Sequence, residues 1–424
     1  MTDLRDLDRN VTWHPFTQMA EWEPLVIASG EGNWLIDDRG RRYLDGVSSL
    51  WCNVHGHRHP RLDRALREQL DRIAHSTFLG LTHEPGVRLA AALVEVAPRG
   101  LTRVFYSDAG STSVEIALKQ SFQYWQLTGH AAKQKFLRLG EAYHGDTLGA
   151  VGVGGIDLFH RVFGPLLVHS IPIPSPALTD LNTALTRLEL ELELRAYEIA
   201  ALVVEPLVQG AAGMLVHPDG FLAKAAELCR RYRVHLIVDE VATGFGRTGT
   251  MFACEQESVT PDFMCLAKGI SGGYLPLAAT LSTEEIYAAF LGRRSELKHF
   301  FHGHTYTANP LACAVGLESL ALLRESTLPN AQTRIPSFTA ALARVSALPG
   351  VKEVRRRGLM AGIELAPIDA RFLASEVCDR ARAHDVILRP LGDVVIWMPP
   401  LTITEDEIAL LERATSAALR EALG

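Results

Sequence analysis

The chain has 424 residues, of which 47% are hydrophobic and 21% charged, a composition ordinary for a soluble globular protein and a length that allows two or more domains. The formal net charge of −7 gives no electrostatic reason to expect nucleic acid or an anionic membrane surface as a partner. The six cysteines (Cys52, Cys229, Cys254, Cys265, Cys313, Cys378) form no C-x-x-C pair and point to reduced thiols in a cytoplasmic protein. The N-terminal run MTDLRDLDRN is charged throughout and lacks the apolar stretch of a signal peptide. The most apolar region, 199–216, is interrupted by Glu205, Pro206 and Gln209, which argues against a membrane span.

In chain order, GNWLID (32–37) and RRYLDG (41–46) predict short strands, and RVFY (103–106) a further one. A Gly-Ser turn at 110–111 then leads into helical spacing over 113–125. The run LELELELR (188–195) predicts a helix with a solvated face. Residues 200–204 read as a buried strand, 221–232 as a helix, 234–238 as a second buried strand and 263–266 as a third. Strand–helix–strand alternation predicts an α/β fold whose mostly parallel sheet carries helices on both faces. The last hundred residues differ. Helices are expected at 339–347, 372–384 and 405–423, with strands at 360–365 and 394–398. This is an α+β pattern, so a smaller domain is expected from 1–55 and 326–424, beside a large domain at 56–325.

Four separated features fit one chemistry. Lys268, in LAKGISGG, follows the apolar run FMCL. Burial at a strand end lowers a lysine's pKa and frees its amine as a nucleophile. Asp239 ends the apolar VHLIVD, where open parallel sheets bind ligands and where a carboxylate can pair with a protonated pyridine nitrogen. The turn 108–112, with Gly110 and Ser111, precedes a helix and could cradle a phosphate. Tyr143, in YHGD, supplies an aromatic face to stack on a ring. Each alone has an ordinary reading, as a surface lysine, a turn aspartate, a helix cap or a loop tyrosine. Their order along the chain is more informative, and together they predict pyridoxal phosphate held by Lys268.

The strings YHGDT, VVEPLVQGAAGM, LIVDEVATGFGRTG, LAKGISGGYLP and HGHTYTANPLACA, spread over nearly the whole chain, resemble the class III (omega) aminotransferases of fold type I. The outer strings WHPFTQM, GVSSLWCNVHGHRHP, AHSTFLGLTHEP and LRPLGD look like the branch that aminates 8-amino-7-oxononanoate in biotin synthesis. The resemblance implies that Lys268 holds the cofactor and shuttles a proton. It implies that Asp239 pairs with the ring nitrogen, that Gly110 and Ser111 bind phosphate, and that Tyr143 stacks on the ring. Thr305, with His304 beside it, would reach the phosphate of a neighbouring subunit, which implies a homodimer. Arg389 would pair with the substrate carboxylate, and Phe16, Trp51, Tyr143 and Gly303 would line the substrate channel. Two half-reactions and ping-pong kinetics follow.

The chain departs from the members of this branch that use S-adenosylmethionine as amino donor. Phe16 stands where they carry tyrosine, Leu50 where they carry tryptophan and His304 where they carry proline. Ile396 stands where an aromatic hydroxyl is expected. These positions favour lysine as donor, with S-adenosylmethionine or another omega-amino acid or diamine as the alternative. Two further signals carry less. GFGRTG (244–249) matches the G-x-G-x-x-G of a dinucleotide site, and hence of a dehydrogenase, but is separated from its strand by five residues and lies past mid-chain. His55, His57 and His59 alternate as metal ligands on a strand would, without cysteine or acidic partners at useful spacing, so no metal is expected. A non-catalytic binding protein of the same fold would lack a working lysine, and Lys268 argues against it.

Overall fold

The computed structural model describes residues 3–368 and 371–424. Its central sheet has seven strands in the order Leu101–Ser107, Ala278–Thr283, Phe263–Leu266, His235–Asp239, Ile199–Val204, Lys135–Leu139 and Ile171–Ile173. Ala278–Thr283 alone runs opposite to the other six strands of this sheet. Every residue of Ile199–Val204, His235–Asp239 and Phe263–Leu266 is buried, as a parallel sheet covered on both faces requires. Alternate residues face opposite layers. Val203, Ile237, Phe263 and Cys265 pack with Val114, Ala117 and Leu118 of the helix Gly110–Leu127. Leu202, Val204, Leu236, Val238 and Leu266 belong to the larger core on the other side, with Phe221, Leu222 and Ala225 of the helix Phe221–Arg231.

The C-terminal region builds an antiparallel sheet in the order Val351–Arg357, Met360–Leu365, Val394–Trp397, Arg389–Leu391. The helices Leu373–Ala381 and Leu328–Ser346 both pack on the terminal helix Glu405–Leu423. The N-terminal strands Ile27–Glu31, Trp34–Asp37 and Arg42–Asp45 form a third sheet. Its fourth strand is Val386–Ile387, parallel to Arg42–Asp45. The first and last parts of the chain are thus joined by backbone hydrogen bonds.

The alternating LELELELR lies in the helix Leu181–Arg195, with Leu188 and Leu192 buried and Leu190 and Leu194 exposed. Its face is not wholly solvated: Glu191 is buried and paired with Arg187 and Arg195. The alternating histidines do not share a strand. His55 is buried against Thr327 and Ser319, His57 pairs with Asp45, and His59 caps the helix Pro60–Leu70. Among the described residues no helix is long and apolar enough to cross a membrane, and the six cysteines are free.

Burial sets an expected acid limit for the fold. Desolvation lowers His55, His217 and His235 to about 3, so each is neutral when folded and binds a proton when unfolded below 6.5. Their stabilising contribution is therefore lost as pH falls from 6.5 towards 3. Buried Glu205 and Glu240 act oppositely: burial raises both to about 7, so they are protonated when folded between 4.5 and 7. Asp262, raised to about 6 by burial, acts with the glutamates, so the two sets offset each other between 4.5 and 6.5. Below that the histidines act together with carboxylates held low by hydrogen bonds, such as Asp38 on Arg5 and Asp180 on Thr183. Thermal melts are expected to show a Tm that varies little from pH 5 to 6.5 and then falls steeply. A Tm unchanged down to pH 3.5 would contradict this account.

Candidate active site

The C-terminal ends of the parallel strands open into a cavity of about 860 Å³. Asp108–Ser111 follow the strand Leu101–Ser107, Tyr143–Thr147 follow Lys135–Leu139, and Glu205 follows Ile199–Val204. Asp239 ends its strand, and Ala267 and Lys268 follow Phe263–Leu266. All of these line the cavity. The reversed strand Ala278–Thr283 begins at this edge, so Tyr274–Leu277 enter it as well. The topology thus brings residues more than 150 positions apart to one edge of the sheet.

Lys268 is half-buried and opens the short turn Lys268–Ser271 with φ of +43°, a left-handed conformation that a non-glycine residue holds at a cost. Its Nζ lies 5.1 Å from the centre of the Trp51 ring. Burial lowers its pKa, and Arg247 acts in the same direction, while Asp239, Glu205 and Cys52 oppose the shift. The lowered pKa makes an amine more available as a nucleophile.

Asp239 accepts from the Val241 N–H at 3.0 Å and pairs with His144 Nδ1 at 2.7 Å. Burial disfavours a charged His144, but its hydrogen bond to Asp239 and the charges of Asp239 and Glu205 outweigh that, and its pKa is raised. Glu205 is fully enclosed. Its carboxyl accepts from the backbone N–H of Tyr143 at 3.1 Å and of Gly210 at 2.9 Å. Burial raises it to about 7 despite these bonds.

One end of the cavity is the first turn of Gly110–Leu127, which begins three residues before the helix expected at 113. Its leading N–H groups have no intrahelical acceptor. Thr112 Oγ1 is occupied with Ala109, bonding its N–H and its carbonyl, which leaves Ser111 facing the cavity. Gly145, at φ of +111°, allows the Tyr143 loop to approach, since a Cβ there would lie 2.3 Å from Ser111 Cβ. Tyr143 Oη donates to Asp146 at 2.8 Å, and the ring stacks on His160 at 6.0 Å.

Phe16 forms the outer wall, with its ring 5.5 Å from Phe159 and 6.0 Å from the Arg389 guanidinium. Arg389 has no carboxylate within ion-pair distance among the described residues, and burial lowers its pKa. Leu50 and Trp51 complete the wall. Gly303 and Thr305 are exposed and outside this cavity, and His304 pairs with Asp108 at 2.8 Å. Ile396 is buried in a hydrophobic cluster and does not line the cavity. Sequence reasoning missed Glu205 and gave His144 no task. An acid directly after an all-apolar strand, the signal used for Asp239, also marks Glu205 in VVEP. Nothing comparable marks His144.

A family model, aminotransferase class-III, matches residues 17–419. The chain is a class III aminotransferase. A relative from Nitratidesulfovibrio vulgaris, named adenosylmethionine-8-amino-7-oxononanoate aminotransferase, is 52% identical, with 98% of this chain and 81% of the relative covered. The crystal structure of the enzyme of that name from Methanocaldococcus jannaschii superposes with a TM-score of 0.95 at 43% identity, covering 99% and 98% of the two chains. A PLP-bound amine transaminase from an uncultivated Pseudomonas species gives a TM-score of 0.92 at 36% identity, covering 97% and 99%. The fold-type-I architecture and the transaminase activity expected from the sequence hold. The class III aminotransferase depends on pyridoxal phosphate, and its cavity fits that group. A buried amine of lowered pKa, a buried carboxylate, an open helix N-terminus and an aromatic face surround one space.

Proposed function

We propose that this class III aminotransferase transfers an amino group to 8-amino-7-oxononanoate, giving 7,8-diaminononanoate in biotin synthesis. The observation that carries the reading is Arg389, a half-buried guanidinium without an acidic partner among the described residues, in a cavity with walls of Phe16, Leu50 and Trp51. A long apolar keto acid suits such walls, and its carboxylate suits the planar fork of arginine. Names carried by relatives up to 52% identical support the same substrate.

Bound pyridoxal phosphate supplies the electron sink that lets an amine be exchanged for a carbonyl. Lys268 would hold it and move a proton between the substrate carbon and the cofactor. Asp239, with His144 behind it, would hold the ring nitrogen protonated. Gly110 and Ser111 would hold the phosphate at the helix N-terminus, and Tyr143 would cover the ring face. Thr305 and Gly303, exposed and outside the chain's own cavity, would serve the site of a second copy, with His304 beside them, in a homodimer. We assign 1–55 and 326–424 to a small domain and 56–325 to the large one, in a cytoplasmic enzyme.

For the amino donor we propose lysine. Phe16 and Leu50, which line the cavity, offer neither the hydroxyl nor the second aromatic wall that would suit a bulky adenosyl group. Ile396 does not line the cavity, and His304, paired with the cavity residue Asp108, would bear on the donor from the partner copy's site. Adenosylmethionine is the second reading, favoured by the relatives' names. Diamine formed from the keto acid and each donor in turn decides between them: turnover with lysine is expected, and turnover with S-adenosylmethionine alone would overturn the lysine reading. In the same assay Arg389→Met is expected to raise KM for the keto acid by about 100-fold. An unchanged KM would remove the ground for the substrate assignment.

A further inference from the structure

The glycine-rich run 244–249 looks like a dinucleotide motif but is bent for another task. Gly246 and Gly249 have φ of +91° and +102°, and between them Arg247 turns inward until only 1% of it is exposed. Its guanidinium has no carboxylate within ion-pair distance among the described residues. Nη1 donates to the Pro399 carbonyl at 2.5 Å and Nη2 to the Trp51 carbonyl at 3.3 Å. The backbone at Arg247 is fixed too. Its carbonyl accepts from the Leu359 N–H at 2.9 Å, and a Cβ on Gly358 would lie 2.3 Å from that carbonyl. Burying an unpaired guanidinium is costly, and a hydrophobic residue would fill the space more cheaply.

What Arg247 touches explains why the charge is kept. Ser48, Ser49 and Trp51 have φ of +51°, +59° and +67°, three left-handed non-glycine residues within four positions. Such conformations persist only where the surroundings over-determine them. Here the Asp45 carboxylate accepts from the Ser49 N–H at 2.8 Å and from its Oγ at 2.9 Å. Ser48 Oγ donates to the Met398 carbonyl at 2.8 Å. Arg247 holds the far end of the segment, at Trp51. The ring so placed faces Lys268 on one side and Gly210, where a Cβ would come within 3.3 Å of it, on another.

We propose that Arg247 is a positioning residue: by bonding the Trp51 and Pro399 carbonyls together it locks the strained 48–51 segment and keeps the Trp51 ring against Lys268 as a wall of the substrate cavity. The proposal rests on the reading of Lys268 and Trp51 given above. The two carbonyls are met by the two Nη atoms of one planar fork, a fixed geometry that an ammonium, with all its donors on a single atom, does not reproduce.

The test compares amide exchange and steady-state kinetics of the wild-type, Arg247→Lys and Arg247→Met holoenzymes. In Arg247→Met, exchange over 48–53 is expected to rise about tenfold or more while the central sheet stays protected. KM for the keto substrate is expected to rise about tenfold with kcat changed by less than about threefold. Arg247→Lys is expected to fall between wild type and Arg247→Met in both readouts. A folded Arg247→Met with unchanged exchange over 48–53 would overturn the proposal, as would raised exchange with an unchanged KM. Loss of the whole fold in both variants would overturn it too, by making Arg247 a general structural group. The exchange readout needs no substrate, so it stands or falls separately from the assignment of the keto acid.

Discussion

Lys268→Ala is expected to lower transamination by about four orders of magnitude or more, because one side chain is assigned two tasks, holding the cofactor and moving the proton. The geometry supports both. The amine is enclosed, and the burial that lowers its pKa keeps it available as a base or nucleophile near neutrality. The short turn that places it begins at a strained φ, so the side chain is aimed by the backbone rather than by its own rotamers. The variant is expected to fold, since alanine removes a costly buried amine and Lys268 donates no hydrogen bond among the described residues. The holoenzyme's visible band is expected to be lost, together with the borohydride-stable attachment of cofactor to the chain. A small primary amine added to the medium is expected to recover part of the activity, because the proton mover is then supplied from solution. Turnover of Lys268→Ala within about tenfold of wild type would sink the assignment.

How much of this was legible beforehand follows from what each segment asks of its residues. Strands at 103–106, 32–37 and 41–46 read correctly from short apolar or aromatic pieces, and the strands of the cores from longer apolar runs. Residues 200–204 and 263–266 are continuous apolar runs and 360–365 is apolar but for Glu364, and they lie in Ile199–Val204, Phe263–Leu266 and Met360–Leu365. Ala278–Thr283, the reversed strand, carries Thr280, Ser282 and Thr283 among small apolar residues and lacks such a run. Lys135–Leu139 and Ile171–Ile173 are short edge-ward pieces whose partners lie more than thirty residues away in sequence. The candidate site was legible where chemistry sits directly at a strand end, as with Asp239 and Lys268. It was illegible where a side chain acts on another from a distance. His144 has meaning only once Asp239 is seen beside it, and Arg247 only once Trp51 and Pro399 arrive from opposite ends of the chain. Ile396 shows the reverse: without a structure it weighs as much as Phe16 and Leu50, although it lies in a hydrophobic cluster away from the cavity.

Asp239→Asn separates charge from shape at the other end of the cavity. Asparagine has nearly the same outline, and its oxygen can still accept from the Val241 N–H, so the loop after the strand is expected to keep its conformation. The negative charge is lost, and three consequences share a direction. A protonated ring nitrogen has no counter-ion in the pocket wall. His144, whose protonated form is favoured by Asp239 against the opposing effect of burial, loses that partner and becomes neutral. Lys268 loses a charge that raises its pKa, so the pH midpoint of the holoenzyme's visible band is expected to move down. Together these are expected to lower kcat by about 10²–10³-fold, with KM for the keto acid changed far less, since no contact proposed for that substrate involves Asp239. Asp239→Glu keeps the charge but displaces it, and it is expected to recover the pH midpoint more fully than the rate. If kcat of Asp239→Asn stays within about threefold of wild type, or the midpoint moves up, the carboxylate is not the partner of the ring and the cofactor must lie differently in the cavity.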